Sequence, residues 1–335
     1  MSKKYFLYII LSIAILACKE KEENKELTFE QQLTNLPDSI QADDVVIYNA
    51  FKHQVLANSG ANYNDKLIKE KVYNVHKTLW NDCYGMIFGE ENAGNFNSAE
   101  GMAAWNKKLY AENKDYFKKQ AELYLTLNID SLLTHNLKKF NRFVPHKPKA
   151  RISIAFVPMQ GIGFCGCTAD QFVYELNNNE FNLVYSMEKG IPHELNHIVY
   201  EPYRLNDPLG NTALGQTIDE GFACYFTRVF FDNKITAWEA VEDMSKEDWD
   251  WYISHEKEIF NAIEKYFYSE EENPLTSYDQ DLFPDAPKSL NYWLGYRIVE
   301  KYVQKHGKDS WKDIYSTPIK DVYEKSGYKA YIQAL

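Results

Sequence analysis

The chain has 335 residues and a formal net charge of -11, with 37 Lys and Arg against 48 Asp and Glu. Hydrophobic residues at 45% and charged residues at 25% describe a globular chain with room for one large or two modest domains, and Gly and Pro are too scarce for a fibrous or largely disordered one. An acidic chain without a basic block is a poor polyanion binder, because that affinity rests on Lys and Arg neutralising phosphates, so no nucleic-acid partner is expected.

The N-terminus predicts an address and an anchor. Lys3 and Lys4 precede an apolar run over residues 5–17, too short for a bilayer-spanning helix, which needs about 20 residues. The run reads as a signal-peptide core covering residues 1–17. It ends in Ile15-Leu16-Ala17-Cys18, which resembles a bacterial lipobox and implies lipidation at Cys18. The charged residues after it have nothing to bury and form a tether over residues 18–42. Lys19, rather than Asp, comes directly after Cys18, and in lipoproteins of this kind that points to the outer membrane, so a cell-envelope location is expected. Losing Lys3 and Lys4 with the signal makes the mature chain more acidic than the precursor.

Residues 43–143 read as helices. Phe117, Ala121, Tyr124, Leu125 and then Ile129, Leu132, Leu133 recur at spacings of three and four, the period of one buried helical face. Ser98 near Gly101 marks a helix start, and Pro145 with Pro148 closes the block. This gives a helical N-terminal region over residues 43–148 and a second region over residues 149–335. Residues 151–157 alternate as a strand does, and residues 181–185 read as another. The glycine-rich residues 161–167 between them suit a turn or a bulged edge strand. After Pro192 the pattern is helical almost to the end, interrupted by an acidic, proline-bearing stretch at residues 269–287.

His193-Glu194-Leu195-Asn196-His197 is an HExxH motif. Pro192 before it suits a first helical turn, because its missing N–H has no partner there anyway, and Glu201 before Pro202 predicts a stop near Tyr200. On a helix the two His lie about 40° apart around the axis, with Leu195 and Val199 on the other side. Two imidazoles one turn apart can bind one zinc ion, and Glu194 can act as general base beside it. A catalytic zinc normally takes three protein ligands, so a third must come from elsewhere. The Gly and His that the metzincin pattern requires are missing. Downstream the chain carries instead Thr217-Ile218-Asp219-Glu220-Gly221-Phe222-Ala223-Cys224, read as the start of a second amphipathic helix with two acids in its first turn.

That pair of segments resembles the gluzincin metallopeptidases, whose third zinc ligand is a Glu on the helix after HExxH. The resemblance implies a zinc site of His193, His197 and Glu220, with Asp219 as the alternative to Glu220. The Gly-x-Met-Glu-Asn motif that grips a free N-terminus is absent, which favours an endopeptidase. In thermolysin-like enzymes an Asp four residues after the ligand Glu orients a zinc-bound His; here that position is Cys224. The chain most resembles predicted zinc-dependent proteases catalogued as a domain of unknown function, over roughly residues 150–335, with Tyr292-Trp293-Leu294-Gly295-Tyr296-Arg297-Ile298-Val299 as a further shared segment. The implied fold is α+β and zincin-like, mostly helical with a small mixed sheet before the active-site helix. The implied activity is peptide hydrolysis with one zinc ion per chain, a peptide or protein as substrate, and the outer membrane as partner through the lipid anchor.

Several assignments stay open at this level. The residue that stabilises the oxyanion is Tyr292, Tyr296 or His255, and either tyrosine also fits core packing. Either predicted strand can pair an extended peptide or lie inside the sheet. Cys165 and Cys167 either bridge or flank the cleft, Cys83 has no evident partner, and Cys224 suits a small buried position as well as a metal-facing one. His53, His76, His135 and His146 lack ligand spacing and default to surface or capping roles. The rival readings are a binding lipoprotein with a structural zinc and a zinc hydrolase of non-peptide amides.

Overall fold

The structure is a computed structural model that describes residues 27–87, 94–127, 129–157, 163–168, 170–177, 182–270, 283 and 285–335. The segment expected as a signal, Cys18 and residues 19–26 lie outside the described residues, as do Phe181 and most of the acidic stretch after Ser269. The rest of the expected tether is ordered instead: it contains a helix (Phe29–Asn35) and a strand (Ser39–Ala42) and buries Leu33, Ile40 and Ala42, apolar side chains that a solvated tether lacks. No helix among the described residues is long and apolar enough to cross a membrane. The chain is α+β, mostly helical around one small mixed sheet.

In chain order the described elements begin with α1 (Phe29–Asn35), β1 (Ser39–Ala42), β2 (Val45–Tyr48) and α2 (Ala50–Leu56), then a run of short α, π and 3₁₀ turns over residues 65–87. Next come α3 (Ala99–Thr126), α4 (Ile129–Phe140), β3 (Ala150–Ala155), β4 (Phe164–Thr168) and β5 (Gln171–Glu175). The C-terminal half contains α5 (Ile191–Leu205), α6 (Ala213–Phe230), α7 (Lys246–Ser254), α8 (Glu256–Ile263), α9 (Leu290–His306), α10 (Ile319–Ser326) and α11 (Tyr328–Ala334). Ser98 caps α3 by accepting from the Gly101 N–H at 3.0 Å, and Phe117, Ala121 and Tyr124 lie on its buried face.

The sheet order is β1-β2-β3-β5-β4. β1 and β2 form an antiparallel hairpin, β2–β3 and β3–β5 are parallel, and β4 returns antiparallel along the outer side of β5. Residues 45–48 therefore depart from the helical expectation. Their β-branched run Val45-Val46-Ile47 suits a pleated, half-buried surface, and Asp43, at φ 52°, provides the left-handed residue that a two-residue hairpin turn needs. Residues 183–185 depart in the opposite sense and form a short helix. The Asn182 side chain accepts from the Val184 and Tyr185 N–H groups at 3.0 and 3.3 Å, which caps a helix rather than extending a strand.

β3 is covered on both faces, as parallel interior strands are. Ile152, Ile154 and Phe156 join the main core with residues of α5, α6 and α9, while Ala155 and Val157 join a second cluster with Trp80, Tyr84 and Phe96. His53 and His76 belong to this interior instead of the surface, being 5% and 1% exposed. His76 shares a 2.8 Å hydrogen bond with the Ser153 hydroxyl, which gives its ring a reason to be inside.

Burial pushes the His53 imidazole down to about 4, with Asp38 partly opposing, and pushes His76 down to about 3. Both folded values lie below the ordinary 6.5, so the fold binds the neutral rings. Their contribution is complete above that value and is lost as pH falls through the folded values. The thermal midpoint of the metal-free protein is therefore expected to fall steadily between about pH 6.5 and pH 4. A flat profile across that window would contradict neutral, buried rings.

Candidate metal centre

α5 carries the HExxH segment. It continues directly from a π-helical turn (Ser186–Gly190) with Pro192 in its first turn, and buries Leu195, Ile198, Val199 and Tyr200. The helix does not stop at Tyr200 but runs on through Pro202 to Leu205. The last turn is held by Arg204 donating to the Gly210 carbonyl at 2.8 Å and by Asn206 donating to the Pro202 carbonyl at 2.6 Å. This extension carries Glu201 and Arg204 to the cleft.

α6 begins at Ala213 with Thr212 as its cap, a hydroxyl accepting from the Gly215 N–H at 3.2 Å. Asp219 and Glu220 thus stand in the second turn, not the first, and the helix dipole is not what accommodates them. α6 packs closely along α9 because both present glycine at the crossing. A Cβ on Gly221 would fall 1.9 Å from the Gly295 carbonyl carbon, and one on Gly295 would fall 1.8 Å from the Thr217 carbonyl oxygen. Glu220 is next to one of these glycines, and Tyr292 lies one turn before the other. The crossing therefore sets how far apart those two side chains stand.

His193, His197 and Glu220 converge. Their facing atoms form a triangle: His193 Nε2 to His197 Nε2 is 3.1 Å, His197 Nε2 to Glu220 Oε2 is 3.2 Å, and His193 Nε2 to Glu220 Oε2 is 3.4 Å. Tetrahedral ligands at zinc distances of about 2.0–2.1 Å are themselves about 3.3 Å apart, so the triangle has the size a zinc ion requires. Glu220 Oε2 is buried against the two imidazole nitrogens, an arrangement that is costly unless a proton or a cation lies between them. Burial opposes ionising Glu220, yet His197 and His193 hold its carboxyl below the ordinary range. Burial likewise disfavours protonated His197, but Asp219 and Glu220 more than reverse this and raise it well above its ordinary value. The site attracts positive charge, and a proton takes the place that a metal ion suits.

Asp219 supports this triangle rather than joining it. Its Oδ1 accepts from His197 Nδ1 at 2.7 Å, and its Oδ2 lies 2.9 Å from Arg204 Nε. That bond fixes the His197 tautomer, leaving Nε2 for the cluster. Cys224 is fully buried, its sulfur 3.9 Å from His193 Nδ1, and burial raises its thiol well above the ordinary value. One imidazole thus has a carboxylate behind it and the other a thiol. Burial also raises the Glu194 carboxyl, with both imidazoles opposing.

Tyr292 lines the cleft and stacks on His193, with ring centroids 6.0 Å apart. Burial, reinforced by Glu220, Glu242 and Glu194, raises its hydroxyl well above the ordinary value, so it keeps its proton. The other two oxyanion candidates are engaged elsewhere. Tyr296 accepts from Arg228 at 2.7 Å in the interior, and His255 stacks on Trp251 while bonding its carbonyl. The start of α9 is secured by Ser289 donating to Glu242 at 2.7 Å, both residues being left-handed at φ 73° and 50°. Neither was marked by any motif.

The cleft of about 310 Å³ is lined by this cluster together with Phe164, Gly166, Cys167 and Thr168 of β4. The described part of the glycine-rich segment is thus an edge strand among the described residues, bulged between Cys165 and Thr168. Gly166 fits the bulge because a Cβ there would lie 2.4 Å from the Gln171 carbonyl oxygen. Cys167 bridges to Cys83, not to Cys165, with Cα atoms 5.5 Å apart across 84 residues of sequence. The Cys165 side chain lies outside the described residues. A separation of that length leaves no local signal for the pairing.

The profile of a protein family described as predicted Zn-dependent proteases matches residues 127–324. The match covers more than half of the chain, and the chain belongs to that family. No curated protein and no solved structure matches it.

Replacing Gly221 with Ala weighs two opposite effects. Helix propensity favours Ala by about 1 kcal/mol, whereas the added methyl must displace the α9 backbone, which typically costs about 1–3 kcal/mol or more. Gly221→Ala is expected to lower the thermal midpoint and weaken zinc binding together, read by calorimetry and metal titration. A more stable variant would show that the helices can part freely.

Proposed function

We propose that this member of the predicted Zn-dependent protease family is a zinc metallopeptidase of the gluzincin type, cleaving peptide bonds within a chain, with His193, His197 and Glu220 holding one zinc ion. The observation that carries the reading is the triangle of 3.1, 3.2 and 3.4 Å formed by two imidazole nitrogens and a buried carboxylate oxygen, with Glu194 beside it. When bound, zinc supplies Lewis acidity towards a carbonyl and makes water a better nucleophile at neutral pH. Glu194 takes the proton of the attacking water and passes it to the leaving amine; its raised affinity for a proton suits both halves of that transfer. Asp219 holds His197 in one tautomer and orientation. Tyr292 keeps its proton and donates a hydrogen bond from its hydroxyl to the oxyanion that forms at the scissile carbonyl.

An extended peptide is placed by β4. β3 lies between β2 and β5 and offers no free edge, whereas β4 is outermost and lines the cleft. Main-chain hydrogen bonds along β4 orient a substrate whatever its side chains. An envelope location with a lipid anchor on Cys18 is part of the same proposal. Its supports are the signal-like N-terminus and the Cys83–Cys167 disulfide, a bond characteristic of oxidising compartments.

Glu194→Gln is expected to keep about one zinc per chain while losing cleavage of a peptide library by about 10²-fold or more, as loss of a general base requires. Retained cleavage in that variant would refute the mechanism, and a folded wild-type protein that holds zinc yet hydrolyses no peptide would favour a structural metal. Tyr292→Phe, which keeps the ring against His193, is expected to reduce kcat by about 10²–10³-fold with little change in KM. An unchanged kcat would move the oxyanion role to another group.

A further inference from the structure

We propose that Cys83 and Tyr84, consecutive residues far outside the family segment, are positioning residues that clamp β4 in the register against which a substrate peptide docks. The inference rests on the metallopeptidase reading, which assigns the free edge of β4 a peptide to bind.

Among the described residues β4 pairs with a strand on one side only, and its pairing shifts register between Cys165 and Thr168. A short, bulged edge strand is poorly held by its own ladder. It is held at both ends by other means. Just before β4, the Gly163 N–H donates to Glu175 Oε2 at 2.8 Å, and the Gly163 carbonyl accepts from the Glu175 N–H at 2.8 Å. The other oxygen of this carboxylate, Oε1, accepts from the Tyr84 hydroxyl at 2.7 Å, and Glu175 is only 1% exposed. Inside the bulge, Cys167 is covalently joined to Cys83.

Both holds arise from one π-helical turn, Leu79–Tyr84. That turn is itself fixed: Trp80 is buried and donates to the Val72 carbonyl at 2.9 Å, and its ring meets Tyr84 at 5.1 Å. The residues so restrained are not remote from the chemistry, since Gly166, Cys167 and Thr168 share the cleft with Glu194 and His197. A displacement of about 1 Å in a docking element can cost on the order of 10²-fold in rate. The clamp thus couples the region before residue 127 to the reacting centre.

The test compares wild type, Cys83→Ala and Tyr84→Phe on two substrates: a peptide long enough to lie along β4 and a short blocked dipeptide amide. Zinc content and circular dichroism are measured in parallel. Both variants are expected to keep their zinc and to raise KM for the long peptide about tenfold, with kcat and the short substrate nearly unchanged. Equal effects on both substrates, or none on either, in a folded, zinc-loaded protein would overturn the proposal. Should the Cys83 variant fail to fold, the wild-type protein is treated with a water-soluble phosphine and compared on the same two substrates. The phosphine takes up oxygen from water, and the two sulfurs gain two electrons and two protons. A wild-type protein that cleaves nothing refutes the metallopeptidase reading instead. Hydrogen exchange over residues 163–168 still decides the clamp: faster exchange after reduction supports it, and unchanged exchange overturns it.

Discussion

Three electron-rich atoms from two helices meet within 3.4 Å of one another in the interior of this protein. Nothing in ordinary packing favours that arrangement, because burying a carboxylate oxygen against two ring nitrogens is among the costlier features a fold can carry unless a proton or a cation joins them. The surrounding architecture is intelligible as the means of holding it. α5 supplies two imidazoles one turn apart, α6 supplies the carboxylate, and α9 presses against α6 through Gly221 and Gly295 so closely that no side chain fits between them. Even the acidity of the chain gains a local meaning here. Glu194, Asp219, Glu220 and Glu242 gather around a point where two imidazoles and Arg204 are the basic groups that face them.

The support behind the two imidazoles is unequal. Asp219 accepts directly from His197 and is itself steadied by Arg204, forming a polar chain that runs from the end of α5 to the cluster. This chain exists because α5 continues through Pro202 for another turn. A helix that ended where proline chemistry predicts would leave Arg204 in a loop, and Asp219 would lose its partner. His193 instead backs onto the buried sulfur of Cys224. Cys224, four residues after Glu220, thus presents only a weak hydrogen-bonding group to His193, and the carboxylate that accepts from an imidazole is Asp219, next to Glu220.

The N-terminal part of the chain is no detached cover. β1 and β2 extend the sheet that contains β3 to β5, Trp80 and Tyr84 pack beneath it, and Cys83 is bonded to the strand that borders the cleft. The sheet has helices on both faces, one set carrying the cluster and the other backing the edge strand. The cleft is therefore built from residues separated by more than a hundred positions, although its chemical motif spans five.

His193, Glu194 and His197 were legible in the sequence because an i, i+4 pair on one helix is a local property, independent of anything that packs against it. The buried face of α3, the cap at Ser98 and the presence of a strand at β3 were legible for the same reason, whereas the burial of both faces of β3 was not. What tertiary structure decided was whatever depends on the rotation or approach of separate elements. Asp219 and Glu220 are adjacent and chemically alike; a turn of about 100° between them, set where Gly221 meets Gly295, makes Glu220 face the imidazoles and Asp219 stand behind one of them. Tyr292 and Tyr296 share one stripe, and only the neighbours of α9 separate a tyrosine in the cleft from one bonded to Arg228. Cys83 and Cys167 meet across 84 residues with no local pattern to announce it. A single helix determines its own periodicity, but which of two neighbouring side chains faces a partner is determined only by the partner.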